Sequence, residues 1–304
     1  MQLYLAAAPC CLGNAARWGL PLLHAAYGVE EGRLTSLTLP AHVQGGLLLL
    51  TGPENPAVPQ PDTLARDILR ECLRRTFPWV WDWLRSLPTI LESEHLVFVH
   101  GGVPSLDRME ELDAWHCMKN DDYWGQGHSF AHTGKYVVVG HWPVTLYDPR
   151  IPSAAPIIDR ARHIISIDGG CVLKDDGQLN ALIIPYNGSE DFQVEHYDPF
   201  PVRRVKSAQK GSEKSIYIRW GDNIVRILER GREFSRCVHV RTGYELDILT
   251  KNLYGESGEV RCNDCTDYVL PLEAGDEVSV VETTSRGYFV KHNGVSGWYG
   301  GELL

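Results

Sequence analysis

The chain has no uninterrupted apolar run of about eighteen residues, so nothing in it reads as a helical membrane span. Its start, MQLYLAAAPCCLGNAARWG, lacks the basic segment that opens a secretory signal, and a cytoplasmic protein is expected. Clusters of Lys and Arg are also missing. The 29 basic side chains are scattered among 39 acidic ones, for a formal net charge of -10, which argues against nucleic acid or an anionic membrane as partner. Charge of either sign is scarce in residues 1–60, where Arg17, Glu30, Glu31 and Arg33 are the only charged side chains before Glu54. Eight cysteines are present, but a chain of 304 residues needs no disulfide staples, so free thiols or metal ligands are expected.

What is present fits a folded protein of two domains, 43% hydrophobic and 22% charged. Pro53, Pro56, Pro59 and Pro61 mark a loop. After it, DTLARDILRECLRR (62–75) opens on an acidic N-cap and carries apolar residues at helical spacing. A second amphipathic segment, WVWDWLRSLPTILE, is stopped by Pro88. Three β-branched runs follow, HLVFVHGG, GKYVVVGH and HIISIDGG, which read as buried strands. From about Ser215 the pattern changes to short alternating strands: SIYIRW and IVRILE around Gly221-Asp222-Asn223 read as a hairpin, and EVSVVE, GYFVKH and VSGWYGG follow with an Asn293-Gly294 turn. The fold expected is α/β over residues 1–204 and an all-β tail over 205–304. The Pro-, Ser- and Lys-rich PFPVRRVKSAQKGSEKS joins the two.

His100 and His141 each close an apolar run and would be delivered to loops at a sheet edge, a common way to build a metal site. The succession WLRSLPTILESEHLVFVHGGVPS, GKYVVVGHWPV and HIISIDGGCVLKDDGQLNALIIP resembles the second half of the calcineurin-like metallophosphoesterases, specifically bacterial relatives of the serine/threonine protein phosphatases. The resemblance covers roughly residues 66–186. It implies a β-sandwich flanked by helices, and it matches His100 and His141 to the last two metal-ligand histidines of the family.

Such a family needs more than two imidazoles. Two divalent ions about 3.5–4 Å apart polarise a phosphoryl oxygen and generate the attacking hydroxide, and a bridging carboxylate must hold them together. The resemblance implies DxH, GDxxDRG and GNHE motifs upstream, and these are missing here. Ala8 and Cys10 stand near the first motif, Pro40 near the bridging Asp, and Pro53 and Glu54 where the Asn and His of the third would fall. Residues 1–60 therefore read as degenerate, and three explanations stay open: a pseudoenzyme without its metals; a rebuilt site in which Cys10, His42 or Glu54 joins His100 and His141 around Mn, Fe or Zn; or a shifted reading frame or wrong start. The functional expectation is a non-catalytic binding or regulatory protein with no catalytic residue, recognising a protein or a phosphorylated ligand. The alternative is a metal-dependent phosphomonoesterase or protein phosphatase.

Other residues have plainer readings. Asp168 is expected to order its turn by accepting backbone N–H bonds while Gly169 and Gly170 permit close approach. His24, His95, His116, His128, His132 and His163 read as solvated or capping, and Trp79, Trp81 and Trp83 as packing. Downstream, Cys237 and His239 with Cys262 and Cys265 form a candidate structural zinc set, against buried apolar thiols. The last stretch, PLEAGDEVSVVETTSRGYFVKHNGVSGWYGGELL, resembles bacterial Src-homology-3-like domains, implying a small barrel near 266–304. There Tyr288, Trp298 and Tyr299 either line a groove or pack inside.

Overall fold

The computed structural model describes residues 87–304 other than 172 and 256–258, together with strand Leu3–Ala6 and the single positions Arg75, Pro78, Trp79 and Asp82. The described residues are mostly β-strands in several sheets, with few helical turns. They divide into two compact units. The second takes Thr145–Ala155, Lys174–Asp176 and Asp198–Leu304, and the first takes the rest. Among the described residues no helix is long and apolar enough to cross a membrane.

The first unit contains two sheets. One orders β2 (Ile90–Glu92), β3 (Leu96–Val99), β4 (Tyr136–Val139), β6 (Ile164–Ser166) and β5 (Ile157–Asp159) as β2-β3-β4-β6-β5, with β3, β4 and β6 parallel. The other orders β1 (Leu3–Ala6), β7 (Leu179–Ile184) and β8 (Gln193–Tyr197) antiparallel. LVFV, YVVV and IIS are buried at every residue, because a parallel sheet is covered on both faces and so needs continuous apolar runs. On one face Leu96, Phe98, Tyr136, Val138 and Ile165 meet Leu182 and Ile184 of β7 and Phe192. On the other, Val97, Val99, Val137, Val139 and Ile164 are covered by Val103, Cys117, Tyr123 and Phe130.

Flanking helices are a different matter. The segment 62–75 lies outside the described residues apart from Arg75, which is helical, as are Pro78, Trp79 and Asp82, and the α-helix described over its whole length is α1 (Ala114–Met118). Asp113 caps it by accepting the Trp115 N–H at 2.7 Å. The end of WVWDWLRSLPTILE is not helical: beyond Pro88, Ile90–Glu92 pairs antiparallel with Val97–Val99. Trp79, expected to pack, is 49% exposed, and Trp81 and Trp83 lie outside the described residues.

In the second unit, five strands order as β13 (Glu245–Leu249), β12 (Phe234–His239), β11 (Ile224–Glu229), β15 (Val260–Cys262) and β14 (Leu253–Tyr254). The expected hairpin of SIYIRW with IVRILE does not form. β12 and β15 take both edges of β11, so β10 (Tyr217–Ile218) pairs instead with β16 (Cys265–Thr266).

The last strands do pair as hairpins, β17 (Glu277–Thr284) with β18 (Gly287–His292) and β18 with β19 (Val295–Tyr299). The expected barrel over 266–304 is nonetheless not a closed one. Its sheet runs β19-β18-β17-β9 and takes its outer strand from β9 (Val202–Arg204), while residues 267–276 contribute only isolated bridges such as Val269 with Trp298. Pro271 in that stretch has no N–H to donate to a ladder. Tyr299 is buried, and its hydroxyl donates to the Ser207 carbonyl at 3.0 Å. Trp298 donates Nε1–H to the Thr266 carbonyl at 2.7 Å and lies against Phe289, and Tyr288 packs on the same core.

Candidate functional site

Because β3, β4 and β6 are parallel, the chain leaves all three at the same sheet edge. That edge, beyond the carboxyl ends of parallel strands, is where ligand crevices form in open sheets. His100 follows β3, Gly140-His141 follows β4, and Asp168 follows β6. Backbone bonds lash the loops together: Gly140 N–H to His100 O at 2.9 Å, Ile167 N–H to Val139 O at 2.9 Å, and Val144 N–H to Asp168 O at 2.8 Å. Buried Asp168 accepts the Gly170 N–H at 2.9 Å through Oδ1, a turn-ordering role. A Cβ on Gly169 would strike the Gln178 carbonyl.

The two histidines are brought together, with ring centroids 5.1 Å apart at 63°. His141 holds the left-handed backbone conformation (φ 63°) that side chains other than glycine rarely adopt. His100 Nδ1 is buried with no hydrogen-bond partner. Burial, then the charges of His141 and Lys119, push the His100 pKa down to about 4, so the ring is neutral at pH 7.

Two further residues at this edge were not singled out from the sequence, Lys119 and Asp121. Gly101 admits them: its N–H donates to the Cys117 carbonyl at 2.6 Å, and a Cβ there would sit 3.0 Å from the backbone at Cys117, Met118 and Asn120. The chain beyond α1 therefore packs directly on the loop after His100. Lys119 Nζ lies 3.2 Å from His141 Nε2, Asp121 Oδ1 lies 3.0 Å from the same nitrogen, and Lys119 and Asp121 also form an ion pair. Burial alone would raise the Asp121 pKa, but Lys119 and His141 outweigh it and hold the carboxyl below its usual value.

Among the described residues these donors do not complete a two-metal centre. Two imidazoles supply no bridging carboxylate, Asp121 is engaged by an ammonium, and among the described residues no group of three or more His, Cys, Asp or Glu is placed to hold a metal ion. Cys10, His42 and Glu54, the other candidates, lie outside the described residues, as does His24.

The remaining histidines are dispersed. His95 lies beside Glu94, His116 bonds the capping Asp113 at 2.6 Å, His128 bonds Gln126 at 3.0 Å, and His132 is exposed. His163 departs from the solvated expectation by stacking on Tyr136, centroids 4.2 Å apart.

In the second unit the candidate zinc set separates. Cys262 and Cys265 come together, Sγ to Sγ 3.8 Å, and Cys237 is buried in the same core. His239 does not join them: its Nδ1 bonds Thr242 and its Nε2 the Asp222 carbonyl, each at 2.9 Å. Burial, with Cys262 adding, pushes the Cys237 thiol up to about 11, and the bond to Cys262 followed by burial raises Cys265 well above the usual thiol range. The five described cysteines are all free thiols.

No protein-family model, no curated protein and no solved structure matches the chain.

Proposed function

We propose that this is a metallophosphoesterase-like protein, related to the bacterial serine/threonine protein phosphatases, that works without two-metal catalysis as a non-catalytic binding or regulatory protein. The observation that carries the reading is that Lys119 and Asp121 engage His141 Nε2: a ring nitrogen that could take a metal already has a cation and a carboxylate of the chain beside it. The parallel strands deliver His100, His141 and Asp168 to one edge, the side of an open sheet on which ligands bind. The partner class that fits is a protein or a phosphorylated ligand in the cytoplasm, with the net charge of -10 disfavouring nucleic acid and anionic membrane. The open β17–β19 sheet of the second unit is the part that resembles a Src-homology-3-like domain.

A structural zinc remains a second proposal for the tail, on one observation. Thiolates on one tetrahedral zinc lie about 3.8 Å apart, given Zn–S near 2.3 Å, and Cys262 and Cys265 have that separation.

Elemental analysis of the purified full chain, paired with an aryl phosphate assay with added manganese, tests both. The expected result is no turnover above buffer. Robust Mn-stimulated turnover abolished by His141→Ala would defeat the non-catalytic reading. Zinc near one equivalent that disappears in Cys262→Ser supports the tail site, and its absence removes it.

A further inference from the structure

In the second unit a hydroxyl, an imidazole and a carboxylate meet at the turn between β12 and β13. Backbone bonds close the turn, His239 N–H to Tyr244 O at 2.8 Å and Gly243 N–H to His239 O at 2.9 Å, with Gly243 at φ 71°. His239 ends β12 and is 2% exposed, whereas Thr242 stands exposed in the turn. A carbonyl can only accept, so the 2.9 Å bond to the Asp222 carbonyl places the proton of the neutral ring on Nε2. Nδ1 is then the acceptor, and the Thr242 hydroxyl donates to it at 2.9 Å. Asp222 Oδ1 lies 3.3 Å from Nε2 and supports the positive charge the ring gains on taking a second proton. Arg241 bonds the same carboxylate through Nε at 2.7 Å and holds its pKa below the usual value, so it stays ionised. A hydroxyl on a base that a third group orients is the arrangement that activates an oxygen nucleophile.

We propose that Thr242 is a covalent modification site, acylated by activated acyl donors of the thioester or aryl ester class with His239 as its base. Thr242 Oγ1 bonds to the donor's carbonyl carbon while its proton passes to His239 Nδ1. The donor's bond from that carbon to sulfur or aryl oxygen then breaks, His239 returns the proton to the departing thiolate or aryloxide, and an ester stays on Thr242. Because Thr242 is exposed, a donor reaches it without any opening of the core. Val240 and Trp220, neighbours of His239 and Asp222 along the chain, are exposed apolar side chains that suit an acyl group. The step uses none of the strand-end histidines, so it stands independently of the reading above.

The test is a timed incubation of the full chain with 4-nitrophenyl acetate, the acetylated positions being quantified by peptide mass spectrometry. Expected is an acetyl ester at Thr242 formed at least about a hundredfold faster than at Thr283, an exposed threonine on β17. Thr242→Ser should keep the reaction and Thr242→Val abolish it, both at an exposed position. His239→Gln should slow it at least about tenfold. Should that buried substitution prevent cooperative melting, Asp222→Asn, on a partly exposed side chain, must slow it instead. Equal rates at Thr242 and Thr283 overturn the proposal, as does a rate unchanged in both His239→Gln and Asp222→Asn. Nitrophenolate release that continues past one equivalent and disappears in Thr242→Val would show the ester being hydrolysed, and overturns a lasting modification. Mn-stimulated phosphatase turnover abolished by His141→Ala defeats the non-catalytic reading alone.

Discussion

His141 and His100 show how two residues of one kind acquire different chemistry from their surroundings. His141 has an ammonium and a carboxylate at one nitrogen, while His100 is enclosed and kept neutral. The enclosure has a linkage consequence. With the folded pKa near 4 and the ordinary value 6.5, the unfolded chain binds more protons between those limits, so His100 stabilises the fold fully above about pH 6.5 and this contribution disappears as pH falls toward 4. The whole contribution is about 3 kcal/mol. Urea unfolding of the parent and of His100→Asn at pH 7 and pH 4 should show the acid loss of stability shrinking by about that amount in the variant. An unchanged loss would mean that His100 titrates normally in the folded protein. Both histidines were legible in the sequence because each ends a β-branched run. Lys119 and Asp121 were not, because they lie beyond a five-residue helix with no periodicity to mark them and reach the site only through the close approach at Gly101.

At the level of elements, continuous apolar runs predicted buried strands, and β3, β4 and β6 are buried on both faces as such runs require. Pairing was less legible. The Gly221-Asp222-Asn223 turn is real, with Gly221 at φ 86°, yet the strands beside it pair elsewhere because β12 and β15 hold both edges of β11. The Asn293-Gly294 turn does join its neighbours β18 and β19, with both residues at positive φ (50° and 82°), as a tight hairpin turn demands. Gly294 and Gly221 therefore make a controlled pair. A Cβ at Gly294 would lie 2.9 Å from Cβ and N of Ala155, whereas at Gly221 nothing lies within 4 Å. Gly294→Ala should cost about 2–4 kcal/mol, from backbone strain plus the clash, and Gly221→Ala about 1–2 kcal/mol from strain alone. Denaturant unfolding of the two variants reads the difference, and equal costs would show that Ala155 gives way.

Over the whole molecule, two compact units were expected from the change of hydrophobic period, but their membership could not be read along the chain. The second unit recruits residues 145–155 and 174–176. Within it, Pro149 O accepts from Tyr217 N–H at 2.7 Å, Pro152 O from Ser296 N–H at 3.0 Å, and Lys174 forms an ion pair with Asp264. Chain position says nothing of such contacts. A fragment of residues 205–304 would lack these and β9 as well, leaving an unpaired edge on β17. It should show poor amide dispersion by NMR and fast exchange at Tyr217 and Ser296, where the full chain, with both amides hydrogen-bonded, should exchange slowly. A fragment that melts cooperatively at the temperature of the full chain would show that the inserted segments are dispensable. By itself the sequence determined which runs become buried strands, where turns fall and which strand ends carry imidazoles, because period, β-branching and Gly or Asn placement act locally. Tertiary structure alone decided which edges pair, that the last sheet stays open, and that a lysine and an aspartate meet His141, because each depends on contacts between residues that local pattern does not relate.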